Sequence, residues 1–351
     1  MNPRYAINGR FLIRKATGVD RYARELVIEL DKLMEPGEAV LVVPCNTEIV
    51  DPLPLNVIEI VQFGRFVGQA WEQLDFWRYA RAHRLLGVNL CNTAPILDPD
   101  VVCIHDMAIR ANPNYFSTKF VLWYRLLFFF ITRRSNLIIT VSEFSKREIE
   151  KYYPHTSGKI TVIYNAWQHI NRVEPNAATL NKHGLKAGEY YFAMSSLAPN
   201  KNLKWIVETA RMNPEDTFVV AGGINSKVFG EHAIPEADNV VYVGYVSDGE
   251  ARALMEGCKA FLYPTFYEGF GIPPMEAMAC GAHAIVSDTE VMHEVYGEAV
   301  GYINPNIPID TLDDLLLGLQ TSAAETVLSR FEWCKMAGWL EEELQKTYSI
   351  K

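Results

Sequence analysis

Short, nearly unbroken apolar runs, each followed by a longer stretch with helical periodicity, constrain this chain more than any other feature. The first series is Ala39–Pro44, Val57–Val61, Val101–His105, Leu137–Val141 and Ile160–Tyr164, and the second is Tyr190–Ser195, Thr217–Gly222, Val240–Gly244, Lys259–Pro264 and Ala284–Ser287. Strands with one wet face alternate apolar and polar residues. Continuous runs are expected of strands buried on both faces, hence of parallel sheets covered by helices. Helical patterns fall between the runs at Gly18–Leu33, Trp71–Leu86, Lys119–Arg134, Asn202–Met212 and Asp248–Gly257. This alternation predicts an α/β, doubly wound architecture.

A polar, irregular stretch, Asn165–Lys186, divides the two series and reads as a linker. The expectation is two Rossmann-like parallel-sheet domains, 1–166 and 167–330, facing a cleft, with ligands at the carboxyl ends of the strands. A chain of 351 residues suits two domains, and 49% hydrophobic with 21% charged residues is ordinary for a globular protein. None of the six cysteines lies in a C-x-x-C pair or at zinc-ligand spacing, which points to buried thiols in a reducing compartment. The start, MNPRYAINGRFLIRK, lacks the apolar core of a signal peptide, and no run reaches membrane-spanning length, so a cytoplasmic location is expected.

Charge is uneven along the chain. Residues 1–166 hold 20 Lys+Arg against 17 Asp+Glu, and residues 167–351 hold 13 against 25, so nets of +3 and −12 sum to −9. The mildly basic first part fits contact with an anionic surface as well as it fits simple drift in composition. A net acidic chain without a long basic stripe argues against a nucleic-acid partner.

The most specific segment runs Tyr263–Pro264–Thr265–Phe266–Tyr267–Glu268–Gly269–Phe270–Gly271–Ile272–Pro273–Pro274–Met275–Glu276–Ala277–Met278. A strand is expected to end near Pro264, and the proline pair to open a helix, because a first helical turn tolerates a missing N–H. Gly269 and Gly271 permit close backbone approach, the helix start favours phosphate, and Glu268 and Glu276 can accept paired hydrogen bonds from vicinal hydroxyls. A plain strand–loop–helix with a capping glutamate would explain either glutamate alone, but not the whole string.

Here the chain resembles glycosyltransferase family 4, whose members have the GT-B fold and transfer sugars with retention. The resemblance implies that Glu268 contacts the transferred sugar, that Glu276 contacts the nucleotide ribose, and that Gly269, Phe270, Gly271 and Ile272 line the donor site. Other segments match in order. Thr17–Gly18–Val19–Asp20 resembles the first glycine loop, making Gly18 the candidate beside the donor diphosphate. Val102–Cys103–Ile104–His105 resembles the strand whose histidine faces the reacting sugar, although a satisfied strand-end histidine looks the same. Val141–Ser142–Glu143–Phe144 matches too, and Ser142 as a helix cap accounts for it equally well. Pro199–Asn200–Lys201–Asn202 matches the phosphate-binding lysine, so Lys201 is expected to neutralise the leaving diphosphate. Arginines found in relatives are replaced by Ser195 and Asn200, and the hydroxyls of Ser195 and Ser196 are partial substitutes. Ser329–Trp333 resembles the start of the final helix, 331–351, which in the family returns to the first domain.

Breaking the bond between a sugar and a nucleotide diphosphate places positive charge on the ring and negative charge on the diphosphate, so the protein must position the acceptor and stabilise the departing anion. The sequence is read as holding no acidic D-x-D motif, so metal-independent transfer is expected, with no cofactor besides the nucleotide-sugar donor. The resemblance implies a hexose-type sugar moved to a glycan or lipid-linked acceptor in cell-surface polysaccharide synthesis. Phe120, Trp123, Leu127, Phe130 and Ile131 at helical spacing, followed by Arg133 and Arg134, fit a core helix better than a membrane-surface one. Arg78, Arg81 and Arg84, with Arg10, Arg14 and Lys15, nevertheless suggest a basic first domain resting on the inner face of a membrane. Two rivals are a GT-B nucleotide-sugar epimerase and a weakly catalytic sugar-nucleotide-binding partner of another transferase. The missing arginine and His283–Ala284 after Gly281, where relatives carry small or proline residues, keep the second alive.

Overall fold

A computed structural model describes residues 4–194, 198–222 and 236–350. The chain divides into two compact units, residues 1–165 with 333–351, and residues 166–332.

Unit 1 is built on a seven-stranded parallel sheet: β1 (Tyr5–Asn8), β2 (Ala39–Pro44), β3 (Glu59–Phe63), β4 (Leu86–Asn89), β5 (Val101–Cys103), β6 (Leu137–Thr140) and β7 (Ile160–Val162), in the order β3-β2-β1-β4-β5-β6-β7. Unit 2 holds a six-stranded parallel sheet: β8 (Tyr190–Met194), β9 (Thr217–Ala221), β10 (Val240–Gly244), β11 (Ala260–Tyr263), β12 (His283–Ser287) and β13 (Gly301–Ile303), in the order β10-β9-β8-β11-β12-β13. Both orders begin 3-2-1-4-5-6, the doubly wound arrangement, so the winding direction reverses between β1 and β4 in unit 1 and between β8 and β11 in unit 2. Loops after strands that flank such a reversal diverge and leave room for a ligand.

Ten of the thirteen strands among the described residues fall on the continuous apolar runs. β1, β4 and β13 do not. Each is three or four residues long, and Asn8, Gly87 or Gly301 interrupts its apolar pattern. Pairing makes them strands: Ala6 of β1 sits between Val40 of β2 and Gly87 of β4, so its backbone groups are satisfied on both sides.

The pattern Trp71–Leu86 is not one helix. Trp71–Phe76 winds as a π-helix, Trp77–Ala82 continues as an α-helix, Arg84 takes φ of +58°, and Leu86 opens β4. Trp71 is fully buried with its indole donating to the Phe63 carbonyl at 2.7 Å, and Glu72 is buried beside it. Those anchors set the wider winding, since a π segment persists only where side chains hold it.

The helix Thr118–Arg134 is two-faced. Val121, Leu127, Phe128 and Ile131 are buried, whereas Phe120, Leu122, Leu126 and Phe129 are exposed. The core reading therefore accounts for one face only.

Near the end of the chain, the helix Thr321–Arg330 stops at Phe331, which is extended and packs its ring edge-on against Phe270 with centroids 5.4 Å apart. The last helix, Trp333–Ile350, belongs to unit 1 and lies against the helix Gly18–Leu33, with Trp333 meeting Tyr22 edge to face.

Candidate active site

In unit 2, Lys201 follows β8, while Glu268, Gly271 and Glu276 follow β11. These are the two strands that flank the reversal, so the fold alone brings the loops together. The amide N–H of Phe266 donates to the Asn200 carbonyl at 2.8 Å and joins them directly. Lys201 closes a 3-10 turn, Pro199–Lys201, ahead of the helix Leu203–Met212. Asn202 follows in the left-handed region at φ of +56°, which asparagine tolerates better than most residues. Its buried amide donates to the Pro264 and Pro305 carbonyls at 3.0 and 2.7 Å. Lys201 is thereby held over the end of β11.

Its ammonium donates to Glu268 Oε1 at 2.6 Å and lies 3.4 Å from the Tyr263 hydroxyl. Both members of the ion pair are largely covered, with side-chain exposures of 20% and 14%. Burial, and next the neighbouring Glu268 carboxylate, push the Tyr263 phenol well above its ordinary pKa, so it stays protonated. The result is a largely sheltered cation whose ammonium is paired with the Glu268 carboxylate.

Gly271 is the loop glycine that needs its freedom. It has φ of +90° and caps the helix Ile272–Ala279, and a Cβ there would stand 2.8 Å from Met292 Cε and 3.3 Å from Tyr263 Cε1. The buried Tyr296 hydroxyl donates to the Gly271 carbonyl and fixes the turn. Because Pro273 and Pro274 carry no N–H, the opening turn offers fewer donors than a usual helix start; the N–H groups of Ile272 and Met275 are what it can present to an anion. The side chain of Phe270 is 2% exposed and packs on Phe331, so this residue shapes the loop and does not offer its ring to a ligand.

Glu276 lies in the second turn of its helix and is buried. Its Oε1 is 2.5 Å from His169 Nε2, and His169 is buried as well. Sequence reading missed His169 because it falls in the stretch read as linker, where Gln168–Arg172 in fact forms a 3-10 turn.

In unit 1, Gly18 starts the helix Gly18–Leu33 behind a Thr17–Asp20 capping box, and a Cβ on it would meet nothing within 4 Å. Arg14 donates to the buried Asp20 at 2.9 Å. His105 lies two residues past β5 and is buried, with Nε2 facing the Leu90 carbonyl at 2.9 Å and its ring edge-on to Tyr22. Burial lowers its pKa to about 4 despite the Leu90 hydrogen bond, so its ring is neutral at neutral pH. Ser142 caps its helix by accepting from the Ser145 N–H at 2.9 Å.

Of the first-domain arginines, Arg14, Arg78, Arg81 and Arg84 are exposed and Arg10 is half-buried, and several are already paired. Arg10 pairs with the buried Glu72 at 3.1 Å, Arg14 with Asp20, and Arg81 with Asp98 at 2.8 Å, while Arg84 lies beyond the helix. The chain does contain one D-x-D, Asp98–Pro99–Asp100, ahead of β5. Asp98 is committed to Arg81, and the buried Asp100 accepts from the Gly87 N–H at 2.8 Å. Ser195 and Ser196 lie outside the described residues.

With this geometry in view, the comparisons with known proteins decide the family. Residues 16–167 match the family model for Glycosyltransferase Family 4, and residues 177–318 match that for Glycosyl transferases group 1. This chain belongs to the glycosyltransferases. The O-antigen chain mannosyltransferase RfbU of Salmonella typhimurium is 24% identical over 319 residues, covering 86% of each chain. Among solved structures, sucrose-phosphate synthase from Thermosynechococcus elongatus superposes over all of both chains with a TM-score of 0.74 at 15% identity. Anabaena HepE in complex with UDP and glucose covers 99% of this chain and 100% of its own with a TM-score of 0.70 at 16% identity. The glycosyltransferase has the GT-B fold, two α/β units on parallel sheets, and neither the epimerase nor the silent-partner alternative is favoured.

Proposed function

We propose that this glycosyltransferase moves a hexose, with retention, from a nucleotide-diphosphate sugar to a glycan or lipid-linked acceptor during assembly of a cell-surface polysaccharide. The observation that carries the donor half is the Lys201–Glu268 pair beside the helix that bears Glu276, on the loops after β8 and β11. As the glycosidic bond breaks, Lys201 and the backbone N–H groups around Gly271 stabilise the departing diphosphate. Glu268 holds the transferred sugar, and Glu276 accepts from the ribose hydroxyls. Gly18 and His105 are the unit 1 candidates for the diphosphate and the reacting sugar; a neutral, ring-packed His105 suits hydrogen bonding to a sugar hydroxyl better than it suits charge stabilisation. The acceptor half and the sugar, mannose first among hexoses, draw support from the likeness to an O-antigen mannosyltransferase.

We also propose transfer without a metal and peripheral binding to anionic lipid. Among the described residues no helix is long and apolar enough to cross a membrane. The docking face is the stripe Leu122, Leu126, Phe129 and Arg133 on the helix Thr118–Arg134, with Lys119, Arg125 and Arg134 beside it. Leu122 is 69% exposed, and the four basic residues complement an anionic bilayer that accepts the apolar side chains.

One experiment tests the enzymatic reading. The protein is incubated with UDP-, GDP-, dTDP- and ADP-sugars and an extract of lipid-linked glycans, with and without EDTA, and the product anomeric proton is followed by NMR. Transfer with the donor's anomeric configuration, unchanged by EDTA, is expected. Inversion refutes the stereochemistry, EDTA-sensitive turnover restored by magnesium or manganese refutes the metal-free step, and binding of a donor without turnover refutes the enzyme.

A further inference from the structure

We infer that His169 is a positioning residue for nucleotide recognition, holding the Glu276 carboxylate in the plane in which it takes both ribose hydroxyls. This rests on the reading of Glu276 as the ribose contact.

The first residues of unit 2 carry a buried histidine on a tightly bolted turn. Trp167 donates its indole N–H to the Leu328 carbonyl at 3.0 Å, and Gln168 donates its amide to the Phe331 carbonyl at 2.9 Å. From the other side, the Arg252 guanidinium donates to the carbonyls of Ile170, Asn171 and Val173 at 3.2, 3.4 and 2.6 Å. Arg252 is itself held by Glu256 at 2.7 Å, within the helix Asp248–Gly257. A five-residue 3-10 turn has few backbone bonds of its own, so these five side-chain bonds are what make it rigid. Their common effect is to present the His169 imidazole to Glu276, with Nε2 2.5 Å from Oε1.

An ionised carboxylate only accepts hydrogen bonds, so His169 Nε2 must carry a proton in this contact. A carboxylate has two oxygens and about four lone-pair directions, and a bond at Oε1 occupies one of them. The χ3 torsion of a glutamate is otherwise soft, with broad and roughly two-fold wells. A rigid donor 2.5 Å away restricts that soft torsion. A vicinal diol needs two acceptor directions at a defined spacing, so loss of orientation should reduce discrimination by the ribose hydroxyls more than it reduces binding of the diphosphate. That selective effect separates positioning from a purely structural role.

The test is calorimetric binding of UDP, GDP and ADP, each paired with its 2′-deoxy counterpart, to the parent, Glu276→Ala, His169→Leu and His169→Gln. For the nucleotide that binds, the parent should prefer the ribonucleotide by about tenfold or more, the worth of a hydrogen bond to a charged group. Glu276→Ala and His169→Leu should both reduce that preference to threefold or less, with His169→Leu changing the affinity for the 2′-deoxy nucleotide little. His169→Gln, which keeps an amide donor, should retain most of the preference. If His169→Leu does not fold, His169→Asn, whose amide is too short to reach Oε1, takes its place with the same expectation. Preference retained in His169→Leu or His169→Asn but lost in Glu276→Ala overturns the inference and leaves the donor site standing. Preference retained in Glu276→Ala, or no binding by any pair, overturns the reading of the site itself.

Discussion

Replacing Lys201 by methionine separates its two roles, because the structure sets their sizes apart. The substitution keeps most of the side-chain volume and removes the charge that lies 2.6 Å from Glu268. Breaking a fully buried ion pair by deleting one partner costs about 3–5 kcal/mol, whereas an exposed pair is worth under about 1 kcal/mol. With a fifth of Lys201 and a seventh of Glu268 open to solvent, the cost here falls between these limits, at roughly 1–2 kcal/mol. In a unit of this size that is a Tm decrease of about 2–8 °C, which leaves the variant folded at 25 °C. Catalysis should suffer far more. Removing one preorganised charged contact to a developing anion costs ~100-fold in rate, or about 2.7 kcal/mol of transition-state stabilisation. The assay is initial-rate kinetics with the productive donor beside a thermal melt. Adding Glu268→Gln removes the unpaired carboxylate and should recover most of the melting temperature while recovering none of the rate. A Lys201→Met enzyme with kcat/KM within threefold of the parent refutes the leaving-group role.

Gly271→Ala should destabilise by about 2–3 kcal/mol in urea unfolding: left-handed backbone accounts for ~1–2 kcal/mol, and crowding against Tyr263 for most of the rest. Met292→Ala should relieve little of it, since the methionine end can already move; full rescue would show that sterics dominate. His105, with its pKa lowered to about 4, binds fewer protons folded than unfolded between that value and about 6.5, so its contribution is intact above pH 6.5 and is lost as pH falls. Stability should drop by about 2 kcal/mol from pH 7 to pH 5 on this account and less in His105→Gln, and an NMR titration midpoint of His105 at or above 6.5 contradicts it. The triple change Leu122→Ser, Leu126→Ser, Phe129→Ser should lower affinity for anionic vesicles at least about tenfold without altering turnover on a soluble acceptor, whereas equal vesicle binding removes the proposed docking face.

Much of this was legible along the chain because it is governed by local pattern. Apolar runs such as Ala39–Pro44 and Val240–Gly244 matched observed strands to the residue, as did the helices Gly18–Leu33 and Asp248–Gly257. Their register is set by burial on both faces, which leaves its mark on every residue of the run. The turn and helix start in the segment Glu268–Glu276 were legible for a similar reason: glycine and paired prolines at fixed spacing encode both together. Short strands escaped notice because β1, β4 and β13 are strands only by virtue of the neighbours that pair with them. Trp71–Leu86 misled because helical periodicity does not reveal where a buried glutamate and tryptophan widen the winding.

Sequence alone, then, determined the α/β class and the identity of the charged groups on the loops after β8 and β11, since each is written in contiguous residues. Tertiary structure decided their partners. It joined Lys201 to Glu268 across 67 residues and His169 to Glu276 across 107, tied Arg10 to the buried Glu72 and Arg14 to the buried Asp20, and left Leu122, Leu126 and Phe129 uncovered. A side chain's type is local, but the dielectric around it and the groups within 3 Å depend on distant segments that only the folded chain brings together.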